Sequence, residues 1–348
     1  KKKMQLFDTR TLEEFKLLTF SNFKKNDVKI ALLSSLIESN IEPACFWSAE
    51  LICAGSFTDL WDIIILFYSK YVHIGNPRYA IYLYKTTILF KQMIQSCPDI
   101  TYLRNNMKLR SLFAEIICVL CLSSRKHKIV DVKIKSEEFD LTLITDRFKA
   151  PNISFGQQIT RTDDPPELFV AVNELAYSVT ESCKNTIMAF YWVEWITEFG
   201  QKCKQKKKKC LCERRSYIPV DPKNQMDLVW IIWDVFLNEV KSRPEEIHKK
   251  IINALLHIFI LRYCNTFIKK RKYILYYVIY ILTSPFDENT EIIKDKEKCK
   301  LVVDNIDKIY KQIKKSENNP DADVPELTEK EKEKAKTAEK LNILFKIK

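Results

Sequence analysis

The sequence predicts a mainly α-helical protein of packed helical hairpins, arranged as a bundle or an α-solenoid-like stack. Three observations carry that reading. Only four glycines occur in 348 residues, where an average chain runs at about 7%. Neither Asn-Gly nor Asp-Gly occurs, and tight two-residue hairpins lean on those dipeptides. Long apolar stretches instead follow helix-start signals: preferred N-caps, capping boxes and proline at the first helical position.

Taken in order, Thr11 with Glu14 makes the first capping box. Unbroken apolar patterns then predict helices over Val28–Glu38, Pro43–Ala54 and Asp59–Tyr71. Asn76-Pro77 pairs an N-cap with proline and opens the run Arg78–Ile94, and Asn105–Leu122 follows. Asp164-Pro165 opens a helix through Val179. Lys184–Lys202, Lys223–Lys241, Pro244–Tyr263, Lys272–Leu282 and Thr290–Lys315 continue the series. Thr328 with Glu331 heads a Lys/Glu helix to Leu344. Short connections between such elements are the habit of helical bundles and solenoids.

Residues 129–144 depart from the pattern. Val130, Val132 and Ile134 alternate with polar neighbours, as do Phe139, Leu141 and Leu143. That period-2 signal reads as one small β-hairpin, or as one strand followed by a helix after Asp140. The polar stretch Lys149–Pro165 and the Asn/Asp/Pro-rich stretch Ser316–Glu326 mark boundaries. They divide the chain into an N-terminal helical domain (1–128), a connector (129–164), a C-terminal helical domain (165–315) and a linker with a charged helix (316–348). Ala49–Cys53 recurs as Ala114–Cys118, and Trp192/Trp195 share their spacing with Trp230/Trp233. Core helices converge on such patterns by chance more often than repeats explain them.

The glycines exclude as much as they predict. No two lie closer than 20 residues, so a phosphate-cradling Walker loop or a dinucleotide fingerprint cannot form. Gly55 and Gly200 read as helix C-cap residues, Gly75 precedes Asn76-Pro77, and Gly156 sits in the irregular stretch. The apolar segments Ile251–Ile268 and Tyr273–Thr283 are split by Lys269–Lys272, so they read as two buried helices rather than a membrane span. No signal peptide is expected, because Asp8, Glu13 and Glu14 follow the basic start directly. Eleven scattered cysteines, an odd number, fit a reducing compartment better than a disulfide framework.

The formal charge of +12 favours acidic partners, of which nucleic acid is the commonest. Two clusters concentrate it. Lys202, Lys204, Lys206, Lys207, Lys208, Lys209, Arg214 and Arg215 stand against one Glu213. They read as a phosphate-contacting loop or as a solvated connection, at equal weight. Lys269, Lys270, Arg271 and Lys272 lie among Tyr263, Tyr273, Tyr276 and Tyr277. Tyrosines in that setting stack on single strands, but on an apolar helix they are more often core. Cys203, Cys210 and Cys212, with Cys183 as a fourth, are weak zinc candidates, since the spacing lacks the two close pairs of a structural site. No cofactor is expected otherwise.

The four histidines stand near no nucleophile motif and form no HExxH site, and His257 reads as a satisfied core residue. Asp221, Glu239 and Lys241 have the residue order of some metal-dependent nucleases, but two of them point apart on one helix. Glu50, Glu115 and Glu194, inside apolar helices, read as carboxylates paired with a cation from a neighbouring helix. The tryptophan pairs read as packing seams. No catalytic residue is assigned, and no nucleotide is expected as a ligand.

The runs Asn40–Trp61, Tyr71–Pro77 and Leu109–Cys118 give the first third of the chain its character. There it resembles uncharacterised helix-rich proteins of large nucleocytoplasmic double-stranded DNA viruses of algae and protists. The Lys/Ile/Asn-rich style agrees with an AT-rich genome. The resemblance implies a viral setting, in host cytoplasm, viral factory or virion, and no particular activity. The reading is therefore a non-enzymatic helical scaffold or adaptor acting through protein–protein contacts. The alternative is a basic accessory factor of viral replication or transcription that binds DNA or RNA.

Overall fold

A computed structural model describes residues 4–97, 100–126, 129, 131–208 and 210–318. Among these the regular structure is helical and no strand forms. The α-helices are α1 Lys25–Ile37, α2 Ile41–Cys53, α3 Phe57–Phe67, α4 Tyr79–Gln95, α5 Met107–Leu122 and the single turn α6 Ser154–Gln157. After them come α7 Phe169–Val179, α8 Thr186–Gln205, α9 Val229–Ser242, α10 Glu246–Phe259, α11 Phe267–Thr283 and α12 Lys296–Lys314. Each long helix predicted within the described residues is present, with ends moved by a few residues. The Thr11/Glu14 box is the exception. Glu14 accepts from the Thr11 N–H at 2.7 Å, but the residues after it form turns, not an α-helix. The Thr328/Glu331 box lies outside the described residues.

The chain divides into two units, and the boundaries differ from those read off composition. The first unit takes residues up to Tyr68, Lys85–Ser124 and, of the described residues, those from Glu291 on. The second takes Ser69–Tyr84 and Arg125–Thr290. The correction concerns α12, assigned by sequence order to a C-terminal domain. It packs on α5 and α2. The physical reason is an apolar stripe of Cys299, Ile306, Tyr310 and Ile313, the buried positions of the helix.

Arg110 on α5 pins that packing. Its side chain is fully buried. It donates to Arg104 O at 2.7 Å, Asn105 Oδ1 at 3.1 Å and Asp307 Oδ1 at 3.1 Å, and lies 4.1 Å over the Tyr310 ring. Glu50 on α2 is also buried, but its hydrogen bonds differ from the ion pair expected of it. It accepts from the Ser21 N–H at 3.0 Å and the Ser21 hydroxyl at 2.5 Å. Burial pushes this carboxyl up, against the lowering effect of those bonds.

In the second unit, α7 packs on α8 and α9, and α11 on α10 and α8. Trp192, Trp195, Trp230 and Trp233 are each at most 1% exposed, so both pairs are core. Gly156 lets α6 approach α7. Its N–H donates to Asn173 Oδ1 at 2.8 Å, and a Cβ there would stand 3.0 Å from Asn173 Cβ. Among the described residues of 129–144 no strand forms, and the expected hairpin is absent. Ser136–Phe139 and Leu141–Arg147 are 3₁₀ turns instead. Asp140 accepts from the Thr142 N–H and hydroxyl at 3.0 and 2.6 Å, a local bond that competes with strand pairing. Leu143 is 64% exposed, so the alternation does not bury one continuous face.

With glycine scarce, other residues take the left-handed cap positions. Ser39, Gly55 and Lys207, at φ 61°, 68° and 55°, end α1, α2 and α8. Each cap closes with the paired backbone bonds of a Schellman motif, such as Lys207 N–H to Lys204 O at 3.0 Å and Lys208 N–H to Cys203 O at 2.9 Å. Gly200, expected as a cap, lies inside α8, where a Cβ would meet Leu228 Cδ1 at 3.2 Å. The left-handed conformation costs a non-glycine residue about 1–2 kcal/mol, so Lys207→Gly should stabilise by about 1 kcal/mol in urea unfolding. Gly55→Ala should lose at least as much, since its Cβ would also sit 2.7 Å from Leu12 Cδ2.

Candidate functional site

Helix α8 carries the longer basic cluster at its C-terminal end. Asn185 caps its start, accepting from the Met188 N–H at 3.1 Å. Its middle is buried through Trp192, Val193 and Ile196. Lysines at the far end offset the partial negative charge of the terminal carbonyls. Two residues apart on a helix are about 200° apart around its axis, so Lys202 and Lys206 project to one side of α8 and Lys204 to the other. Lys202 donates to Ser136 O at 3.0 Å and stands 4.1 Å over the Phe139 ring. The Lys204 ammonium donates to Asn265 Oδ1. Lys206, Lys207 and Lys208 are exposed, and Lys209 lies outside the described residues.

The two arginines of this cluster behave differently from its lysines. Arg214 is exposed and donates to Gln225 Oε1 at 2.6 Å. Arg215 is fully buried. It donates to Asp164 Oδ2 at 2.6 Å, Asp234 Oδ2 at 2.8 Å and Glu213 O at 2.7 Å. Burial works against charge on both partners. Even so, Arg215 and the N–H groups of Arg161 and Glu213 hold the Asp164 carboxyl below the usual carboxylate range. The segment is held further by Cys212 N–H to Met226 O and Arg215 N–H to Gln225 O, both 2.9 Å. Arg215 is thus structural and not available to a ligand.

The second cluster splits in the same way. Lys269 and Lys270 are exposed in the first turn of α11. Arg271 is buried and donates to Phe259 O at 2.6 Å and to Leu261 O, which caps the end of α10. Lys272 pairs with Asp131 at 3.0 Å and Glu194 at 3.2 Å. Burial opposes its charge, but those carboxylates hold its pKa above the ordinary lysine value. Glu194 is thereby the buried carboxylate paired across helices that its position suggested. Tyr263, Tyr273, Tyr276 and Tyr277 are at most 8% exposed and belong to the core. His257 is half-buried, with Nδ1 2.7 Å from Asn253 O.

The zinc candidates do not converge. Cys210 neighbours Cys203, and burial, together with that thiol, pushes the Cys210 thiol up to about 12. Cys212 turns away, its thiol 3.4 Å from Asp227 O. Cys183 precedes the start of α8, about 25 Å of helix from Cys203. Among the described residues no group of three or more His, Cys, Asp or Glu is placed to hold a metal ion. No helix among them is long and apolar enough to cross a membrane.

A cleft of about 640 Å³ opens beside the end of α8. Lys202, Lys206, Lys208 and Cys210 line one side, residues 162–167 another, and Phe139 and Phe199 contribute aromatic surface. Sequence reasoning missed these two phenylalanines and the acidic segment. Phe199, one turn beyond Trp195, was visible as a continuation of the aromatic face. Asp164 read only as a helix start, because its partner lies 51 residues away. No protein-family model, curated protein or solved structure matches the chain.

The Arg215 cluster generates a stability prediction. Asp164→Asn should destabilise by about 3 kcal/mol at neutral pH, because it leaves a buried guanidinium under-compensated. A carboxyl whose folded pKa is depressed contributes stability above its unfolded value, here 3.8, and loses it as pH falls through the folded value. The gap between wild type and Asp164→Asn in chemical denaturation should therefore narrow below pH 3.8 and stay constant from there to neutrality.

Proposed function

We propose that the protein is a non-enzymatic binding protein whose second unit takes a polyanion, nucleic acid, across the end of α8. The observation that carries this reading is the contact of Lys204 with Asn265. It brings the Lys202–Lys208 segment and the start of α11, with Lys269 and Lys270, to the same end of the unit. Asn265 is itself fixed, donating to Asp227 Oδ1 at 2.6 Å. Of the two clusters, Lys204, Lys206, Lys207, Lys208, Arg214, Lys269 and Lys270 are exposed. Arg215, Arg271 and Lys272 hold the framework beneath them. Clustered exposed cations displace condensed counterions from a phosphate backbone, which makes binding strong at low salt and steeply salt-dependent.

A second reading, a scaffold acting through protein–protein contacts, is favoured by one feature of the first unit. On α4, Ile88, Leu89 and Ile94 are 40%, 47% and 36% exposed. If these make a protein contact, Leu89→Asp should reduce any association seen by sedimentation and leave anion binding unchanged.

Salt titration tests the polyanion reading. A labelled DNA or RNA should bind at low salt, with log affinity falling linearly against log salt. Replacing Lys206, Lys207 and Lys208 with glutamine should reduce the slope by about 0.7–0.9 for each phosphate that is no longer neutralised. No binding at low salt, or an unchanged slope in the triple variant, would contradict the assignment.

A further inference from the structure

The cleft beside α8 has chemistry that a plain anion site does not need. Phe199 stacks on Trp195 with ring centres 5.3 Å apart and planes 10° apart, so a buried indole fixes its plane. Phe139 lies 6.4 Å from Phe199, and both rings are half-exposed in the cleft. Lys206 and Lys208 reach the cleft from α8 and its cap. Asp163 and Glu167 reach it from the segment before α7, and both are exposed. Asp164 between them is taken up by Arg215. The volume lies in the range of about 300–1,000 Å³ typical of small-molecule sites.

A flat ring against Phe199, an anionic group toward the lysines and hydrogen-bond donors toward the carboxylates describe one ligand class. We infer that the cleft receives a single unstacked nucleotide of a single-stranded nucleic acid, and prefers a base that carries an amino group. This rests on the polyanion reading and sharpens it. Aromatic side chains stack on splayed bases of any kind, so the rings alone supply no base preference. The carboxylates supply it. They accept hydrogen bonds from the amino group of cytosine or adenine, whereas thymine and uracil present a carbonyl oxygen at the same position. A duplex keeps its bases stacked and paired, and cannot place one on Phe199 without unstacking it.

The 348-residue chain is titrated by fluorescence anisotropy, at about 50 mM salt where phosphate contacts are strong. The probes are labelled oligo(dC), oligo(dT) and a duplex of matched length, with unlabelled CMP as competitor. Oligo(dC) should bind on the order of tenfold tighter than oligo(dT), and tighter than the duplex. Phe199→Ala should weaken oligo(dC) on the order of tenfold and leave the duplex unchanged. Asp163→Asn with Glu167→Gln, both at exposed positions, should erase the preference for oligo(dC) without weakening oligo(dT).

Equal binding of oligo(dC) and oligo(dT), or single strands no tighter than duplex, would overturn the inference and leave the polyanion reading standing. So would CMP competing as well as oligo(dC), which would make the cleft a free-nucleotide site. Failure of every probe to bind would remove both.

Discussion

The second unit depends on the buried guanidinium of Arg215. A fixed charge with no access to water requires compensation, and Asp164 and Asp234 supply it from positions 51 and 19 residues away. That requirement ties together the segment before α7, the loop after the basic run and helix α9. A buried pair of this kind adds little stability over an apolar replacement, but losing one partner is severe. The effect is positional. The acidic segment 162–167 is set on one side of the cleft, and the lysines at the end of α8 are held between fixed points. Arg110 does the same in the first unit, where it draws α12 onto α5 across the long insertion in the chain.

Glycine scarcity works as a second constraint, on the backbone. Helices must still end, and their last carbonyls must still be satisfied. The chain ends α1 and α8 with Ser39 and Lys207 in the left-handed region and accepts local strain there, while Gly55 serves at α2. At α8 this places a charged, solvent-facing residue at the tip of the helix. The same turn that satisfies the carbonyls of Cys203 and Lys204 therefore also presents lysine.

The helices were legible because apolar periodicity and cap residues are local signals, readable within a window of a few turns. Their assembly was not. The stripe on α12 shows that the helix has a buried face, but not that α5 and α2 cover it. The 129–144 alternation is a genuine period-2 pattern, yet a strand needs a partner, and the local bonds of Asp140 prevail. The site was legible in part. Counting charges found both basic clusters but could not separate the exposed Lys206–Lys208 and Lys269–Lys270 from the buried Arg215 and Arg271, nor from Lys272, which pairs with Glu194 and Asp131. Burial depends on tertiary partners such as Asp164, Asp131 and Glu194, remote in sequence. Phe199 was within reach, since its spacing from Trp195 places it on the same helical face. The acidic side of the cleft was not, since nothing local marks Asp163 and Glu167 as neighbours of Lys206.

The central claim is that the end of α8 and the start of α11 act as one binding surface. Hydrogen–deuterium exchange of the full chain, with and without a single-stranded oligonucleotide at low salt, tests it most directly. New protection should develop together in peptides covering 199–208 and 263–270, with none in peptides covering α1 and α2. Protection of only one of these two segments, or protection centred on the first unit, would contradict the account.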